Sequence, residues 1–174
     1  MTINTMIDLE TMGVAAGCPI CTIGIVEFDP FKPIETWLFG YYKLDWVSWG
    51  VPDSSTVEWW LGQSCEARSE LDGTASYKEV LGKVMPRLYS SKVIWACDPD
   101  FDLAILNAAA VAHGLSPTRY WRARSVRTMK DIGRMINLPE IPREGTYHKA
   151  SDDAKYQAIL VANVMRKLKQ NVLL

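Results

Sequence analysis

The sequence predicts an α/β fold in which a mixed β-sheet is flanked by helices. Three closely spaced runs near the start of the chain have the composition and alternation of β-strands, and two shorter runs lie further along, separated by helical patterns. Short connections between the first three strands favour an antiparallel meander. Strands that alternate with helices are typical of α/β domains. Both patterns occur in one chain, and the sheet is therefore predicted to be mixed.

Length and composition predict one compact domain covering residues 1–174. With 48% hydrophobic residues, the chain can bury a sizeable core. The formal net charge of −1 means that any attraction to nucleic acid must come from local basic patches or bound metals. The chain has no apolar run long enough to span a membrane, and its first residues lack the layout of a signal peptide. We therefore expect a cytoplasmic protein with no membrane partner.

The strands follow from period-two alternation and from the turn residues that bound each run. The first run ends at Thr11 and contains Ile3, Thr5 and Ile7 at alternate positions. The remaining predicted strands cover 20–29, 34–42, 93–96 and 121–126.

Capping signals predict two helices in the middle of the chain. Ser55 and Ser76 are each followed three residues later by glutamate, which is the spacing of a capping box. Pro86 is expected to kink the last turn of the helix that follows Ser76, since proline cannot donate a helical hydrogen bond.

Three more helices are predicted towards the end of the chain. One begins near Phe101 and ends near His113, which we interpret as a helix-end residue, and another has a cap-like start at Thr128. After a loop over 137–147, a long helix begins at about Ser151. The apolar stripe of this helix consists of Ala154, Ala158, Val161, Met165 and Leu168.

The four cysteines are predicted to be buried thiols. Cys18 and Cys21 have the spacing of a metal or redox motif, but a zinc site needs a second pair, and Cys65 and Cys97 are isolated from each other. The pair also leads into a strand and not into the helix start that a redox motif needs.

Asp8 and Glu10 lie at the end of the first strand. Side chains two positions apart point to the same face of a strand, and two neighbouring carboxylates repel each other unless a cation lies between them. The pair therefore predicts a divalent metal site. The alternative at this point is an exposed strand end.

Two other stretches carry residues with the same chemistry. Asp102 follows Phe101 at the start of a helix, directly after a short strand, where an acid can also serve as an ordinary cap. His148 precedes Asp153 by five residues at the entry to the last helix, so the imidazole can lie beside that carboxylate.

Together and in this order, the three stretches resemble the motifs of the DEDDh (DnaQ-like) 3′–5′ exonuclease family. The matching residues are Asp8, Glu10 and Thr11, then Phe101, Asp102, Ile105 and Leu106, then His148, Ala150, Asp153 and Ala154. The residues at 55–60, 63–64, 66–68, 120–121 and 124–128 further resemble the branch of phage exonuclease A and small bacterial exoribonucleases. Asp98 and Ser125 depart from that branch, which usually has a glycine and an acid at these positions.

The resemblance implies a ribonuclease H-like fold with a five-stranded mixed sheet and a metal-dependent 3′–5′ exonuclease. It implies that Asp8, Glu10, Asp102 and Asp153 hold two Mg²⁺ or Mn²⁺ ions and that His148 takes the proton from the attacking water. The expected reaction releases nucleoside 5′-monophosphates from single-stranded 3′ ends, with DNA slightly favoured over RNA. The alternatives are an exoribonuclease and, from another class, a non-catalytic nucleic-acid-binding module on the same fold.

Substrate contacts are predicted from basic and aromatic side chains. A basic cluster consists of Arg119, Arg122, Arg124, Arg127, Lys130 and Arg134, and its alternative is a solvated surface. Trp59 and Trp60 are adjacent, so one should lie in the core and the other could stack on a base. The residues expected to contact substrate are Thr11, Met12, Trp59, Phe101, Arg124 and Arg127.

Overall fold

The computed structural model describes residues 3–172. Its strands are β1 (Asn4–Thr11), β2 (Ile20–Phe28), β3 (Leu38–Lys43), β4 (Val93–Ala96) and β5 (Ala123–Ser125). They form one sheet in the order β3-β2-β1-β4-β5. β1 pairs with β2 and β2 with β3 in antiparallel orientation, while β1 pairs with β4 and β4 with β5 in parallel orientation. The predicted mixed sheet is confirmed, and β1 is its central strand.

Six helices accompany the sheet within residues 3–172. They are α1 (Ser54–Leu61), α2 (Cys65–Arg68), α3 (Tyr77–Ser90), α4 (Pro99–Ala112), α5 (Val126–Met135) and α6 (Ala150–Val172). The described stretch 137–147 forms a loop, as predicted. No helix within the described residues is both long and apolar enough to cross a membrane.

Two of the predicted strands are shorter in the structure. β3 begins later than predicted because Ile34–Thr36 forms a 3₁₀ turn. β5 is reduced on both sides, since Tyr120–Arg122 forms another 3₁₀ turn before it and α5 begins directly after it.

Two predicted helix starts are wrong, while that of α3 is confirmed. α3 is capped by Ser76 and continues through Pro86 to its end. α1 is capped by Asp53, whose Oδ1 accepts hydrogen bonds from the backbone N and the Oγ of Ser55 at 2.8 and 2.6 Å. α5 is capped by Ser125 and not by Thr128. In both cases a stronger or earlier cap precedes the predicted one, so the helix begins upstream.

Alternation along β1 divides the core into two layers. Ile7 and Leu9 belong to the cluster formed with α3 and α4, whereas Met6 belongs to the cluster formed with α5 and α6. Because side chains of a strand alternate between its two faces, Asp8 and Glu10 share the face of Met6. Both carboxylates therefore point towards the layer that contains α6. The predicted stripe of α6 packs against this same face.

The cysteines follow the prediction only in part. All four are free, with Cys18 and Cys21 buried, Cys97 partly buried and Cys65 exposed. Cys65 is the first residue of the short helix α2, where it lies at the surface, so the prediction of a buried thiol is wrong there.

Candidate active site

Three of the predicted metal ligands meet where β1 faces the start of α6. Asp8 and Glu10 each offer a carboxylate oxygen from β1, and Asp153 offers one from the first turn of α6. These three oxygens lie within 4.8 Å of one another. Asp8 and Glu10 are each only 8% exposed. The period-two spacing in the sequence thus produces the shared face that it predicts.

Asp102 approaches the same group from the other side of the sheet. It lies in the first turn of α4, directly after β4, and is buried. Its Oδ1 accepts a hydrogen bond from the backbone N of Leu9 at 3.3 Å, and its Oδ2 accepts one from the backbone N of Asp98 at 3.3 Å. These two bonds fix the carboxylate beside the segment of β1 that carries Asp8 and Glu10.

The four carboxylates fit a hard divalent cation. Burial, reinforced by the charges of neighbouring carboxylates, raises the pKa of Asp8 well above its usual value and that of Glu10 to about 8. Burial also raises the pKa of Asp102 to about 7. Buried acids that repel one another in this way are stabilised by a cation between them, and carboxylate oxygens are the ligands that Mg²⁺ and Mn²⁺ prefer.

His148 lies in the loop that leads into α6. Its backbone has a φ of 59°, a left-handed conformation, and its N donates to Asp153 Oδ2 at 3.1 Å. Its imidazole meets the Trp59 ring edge to face, with centroids 4.7 Å apart. A second bond, from the backbone N of Thr146 to Asp152 Oδ2 at 2.9 Å, holds the same loop against the helix. The contact between His148 and Asp153 is thus made by the backbone N–H, whereas the prediction placed the imidazole beside this carboxylate.

Two further side chains reach the carboxylates, and neither was predicted from the sequence. Gln157 donates from Nε2 to Asp8 Oδ1 at 2.7 Å, and Arg143 forms an ion pair with Asp153. Gln157 lies four residues after Asp153, so the helical spacing could have identified it. Arg143 reaches the site from the loop before α6, with its guanidinium 3.9 Å from the centroid of the Tyr147 ring. No spacing in the sequence points to it.

An open cavity of about 410 Å³ adjoins Glu10. Three of the predicted substrate contacts line it, namely Thr11, Trp59 and Phe101. Trp59 is 42% exposed, whereas Trp60 is buried and donates from Nε1 to the carbonyl oxygen of Thr11 at 2.9 Å. The predicted division into one core and one accessible tryptophan is confirmed.

The other predicted substrate contacts are placed differently. The side chain of Met12 is buried in a cluster with Cys21 and Trp60. Arg124 donates to the carbonyl oxygens of neighbouring residues on its own segment. Arg127 is exposed at the start of α5, with its Nε 3.6 Å from Asp98 Oδ2.

The structure explains why two departures from the family pattern can be accommodated. Asp98 is the N-cap residue of α4, and Arg127 balances its charge. Ser125 is the N-cap residue of α5. His113 ends α4, as predicted, and its ring stacks on Tyr77 with centroids 5.2 Å apart.

The sequence matches, over residues 3–165, the family model described as the 3′-5′ exoribonuclease Rv2179c-like domain. The chain belongs to this family. Membership makes the protein a 3′–5′ exonuclease of the DEDDh type, as the three motifs indicated. A search of curated proteins finds no match.

Solved structures share the fold of this Rv2179c-like domain at low sequence identity. The nuclease domain of 3′hExo, a DEDDh family member bound to rAMP, aligns with a TM-score of 0.60 and 13% identity, covering 95% of this chain and 92% of the other. Pop2p from S. pombe, in a Mg²⁺- and Mn²⁺-bound form, gives 0.62 and 14%, covering 98% and 84%. Exonuclease X in complex with 5′ overhanging duplex DNA gives 0.57 and 16%, covering 94% and 91%. The ribonuclease H-like fold is confirmed.

Proposed function

We propose that the chain is a single-domain 3′–5′ exoribonuclease that uses two divalent metal ions and releases nucleoside 5′-monophosphates from single-stranded 3′ ends. The observation that carries this proposal is the convergence of Asp8, Glu10 and Asp153 on one point, with Asp102 held beside them. His148 lies at the edge of that group, against the tryptophan that lines the adjoining cavity.

The residues divide between holding cations and moving a proton. Asp8, Glu10, Asp102 and Asp153 would hold Mg²⁺ or Mn²⁺, which supplies activation of a water molecule and stabilisation of the charge on the phosphate and leaving oxygens. An imidazole nitrogen of His148 accepts the proton as the oxygen of water attacks phosphorus and the bond to the 3′ oxygen breaks. Gln157 holds the carboxylate of Asp8 in place from α6.

The cavity beside Glu10 would receive the terminal nucleotide. Trp59 and Phe101 offer aromatic surface to a base, and Thr11 lines the same cavity next to Glu10 in the sequence. Arg127 and Arg124 would contact phosphates of the strand that leads to the site. Met12 is left out, because its side chain is part of the core.

RNA is the proposed substrate, and DNA is the alternative. DNA was slightly favoured as the substrate from the sequence, but the matching family model is described as an exoribonuclease domain. One experiment distinguishes these substrates. The protein is incubated with labelled RNA and DNA strands of equal sequence, with Mg²⁺, Mn²⁺ or EDTA. Faster, EDTA-sensitive release of ribonucleoside 5′-monophosphates is expected. Faster release from DNA would support the alternative.

The same experiment tests the non-catalytic alternative and the preference for single strands. Binding without any release under all metal conditions would identify a binding module. The described residues include no long basic arm or inserted domain that could open a duplex, so blunt duplexes should be degraded much more slowly than single strands. Salt must be held constant, because phosphate contacts weaken steeply as salt rises.

A further inference from the structure

Glu70 is a fully buried carboxylate outside the group of predicted metal ligands. It is 0% exposed and lies in a 3₁₀ turn after α2. Its Oε1 accepts a hydrogen bond from Tyr41 Oη at 2.5 Å. Its Oε2 accepts hydrogen bonds from Thr22 Oγ1 at 2.9 Å and from the backbone N of Ala150 at 3.2 Å. Both oxygens of this side chain are thus occupied by protein donors.

Two of these donors lie in the sheet, on β2 next to β1 and on β3 beyond it. Thr22 is the cross-strand partner of Glu10 in the pairing of β1 with β2. Tyr41 is the partner of Gly24 in the pairing of β2 with β3, and Gly24 is in turn the partner of Asp8. Directly paired residues share one face of a sheet, so these donors are on the face of the predicted metal ligands.

The third donor belongs to the start of α6. Ala150 is the first residue of that helix, and it lies between His148 and Asp153 in the sequence. A Cβ added to Gly24 would lie 2.0 Å from the carbonyl oxygen of Ala150, so the helix start contacts β2 backbone to backbone. Glu70 accepts the hydrogen bond of a first-turn N–H, which has no partner within the helix, and a negative charge is favourable at this end of a helix.

We propose that Glu70 is a positioning residue that fixes the start of α6 against β2, so that Asp153 and His148 meet Asp8 and Glu10. The proposal rests on the proposed function of these residues. Glu70 lies outside the group formed by Asp8, Glu10 and Asp153, and both of its oxygens accept hydrogen bonds from protein donors. Its effect passes through the backbone of Ala150.

Charge is the competing explanation. Glu70 lies close enough to Glu10 for its negative charge to act on that carboxylate. Two conservative substitutions separate the effect of the charge of Glu70 from the effect of its side-chain length. Glu70→Gln removes the charge but keeps an oxygen for Thr22 and Ala150, and its amide can donate to the Tyr41 hydroxyl. Glu70→Asp keeps the charge but is one methylene too short to reach Ala150 and Tyr41 together.

The experiment compares these two variants in kcat, KM and Mg²⁺ affinity measured by calorimetry. If Glu70 positions α6, Glu70→Asp should lower kcat by about 10–100-fold with little change in KM, since a misplacement of about 1 Å can have such an effect. Its Mg²⁺ affinity should also fall, because Asp153 is displaced, and amide exchange at 150–153 should accelerate. Glu70→Gln should restore kcat to within about threefold and keep parental exchange at these amides.

A control variant accounts for loss of stability alone. Ser91 is buried and hydrogen-bonded to Thr5, away from the carboxylates. Ser91→Ala should lower the melting temperature without changing kcat or Mg²⁺ affinity. Exchange and Mg²⁺ binding do not require turnover, so they test Glu70 even if the protein proves not to cleave RNA.

Three outcomes would overturn the proposal. A more active Glu70→Asp than Glu70→Gln would assign the effect to charge. Equal losses in both variants, with unchanged exchange at 150–153, would assign Glu70 to general stability. Parental kcat and Mg²⁺ affinity in both variants would show that the start of α6 needs no such anchor.

Discussion

At the scale of single residues, burial raises the pKa values of the carboxyl groups in the candidate site. Asp8 is buried among three other acids and has one neutral hydrogen-bond donor, Gln157. An amide orients a carboxylate without neutralising it, so the negative charge remains available to a cation. Arg143, in contrast, brings a positive charge to Asp153. Asp8 on β1 is thus held by a neutral side chain, whereas Asp153 on α6 is paired with a cationic side chain from the preceding loop.

His148 is expected to act as a proton acceptor and not as a metal ligand. His148→Ala should lower kcat by roughly 10²–10⁴-fold, the usual contribution of a positioned base. Mg²⁺ affinity should change little, because four carboxylates remain. Raising the pH should restore part of the rate, since a water that has already lost its proton needs no acceptor.

The measurement is a pH–rate profile of the parent and the variant beside calorimetric Mg²⁺ titrations. His113 serves as the control, because it packs on Tyr77 at the end of α4. His113→Ala should lower the melting temperature but leave the shape of the pH–rate profile unchanged. Loss of Mg²⁺ binding in His148→Ala would identify His148 as a ligand.

The sequence predicted those site residues whose positions follow from local periodicity. Asp8 and Glu10 share a face because a strand has period two, and Asp153 lies at a helix start that the apolar stripe revealed. Gln157 was missed although helical spacing links it to Asp153. Glu70 could not be predicted, because its contact with Ala150 joins residues 80 positions apart in the sequence. Arg143 could not be predicted either, because it lies in an irregular loop with no periodicity that relates it to Asp153.

At the scale of elements, competing caps explain where the sequence prediction failed. Asp53 and Ser125 both precede the serine or threonine that was predicted to begin a helix, and both accept a hydrogen bond from a backbone N–H in the first turn. Asp, Ser and Thr all serve as N-caps, so local sequence does not decide which one begins the helix. In both cases the upstream residue is the N-cap. This shift places Arg127 in the first turn of α5, close to Asp98.

The start of α5 should therefore contact the phosphates of the substrate. Arg127→Ala should raise KM for single-stranded RNA several-fold and reduce the dependence of log KM on log salt by about one unit. Arg134 provides a matched control two turns along the same helix, where it pairs with Asp131 at 3.0 Å. Arg134→Ala removes the same charge and should leave KM and its salt dependence unchanged. Equal effects of the two variants would indicate a general charge effect and no specific contact.

At the scale of the whole molecule, the two layers of the sheet bring distant segments to one point. β1 supplies two carboxylates to the face covered by α6, while Asp102 comes from α4 in the opposite layer. The sheet thus holds acids that repel one another in the absence of a cation. This repulsion predicts how the stability of the whole fold depends on pH and on metal.

The metal-free protein should lose stability as pH rises. The pKa of Glu10 is raised from 4.5 to about 8 and that of Asp102 from 3.8 to about 7, each chiefly by burial. A raised acid pKa means that the folded state binds protons more tightly than the unfolded state. The resulting stabilisation is complete below the unfolded pKa values and is lost as pH rises through about 4 to 8.

This expectation is tested by measuring the melting temperatures of the parent and of Asp8→Asn from pH 5 to 8, with EDTA and with Mg²⁺. That variant keeps an oxygen for Gln157 but removes one charge, and it should not turn over substrate. If the lost charge shifts a neighbouring pKa by about one unit, the metal-free variant should gain about 1.4 kcal/mol at pH 8, or roughly 3–6 °C. Mg²⁺ should raise the melting temperature of the parent more at pH 8 than at pH 5, because cations bind deprotonated carboxylates. Equal responses of parent and variant to pH and Mg²⁺ would mean that the carboxylates do not form a common cation site.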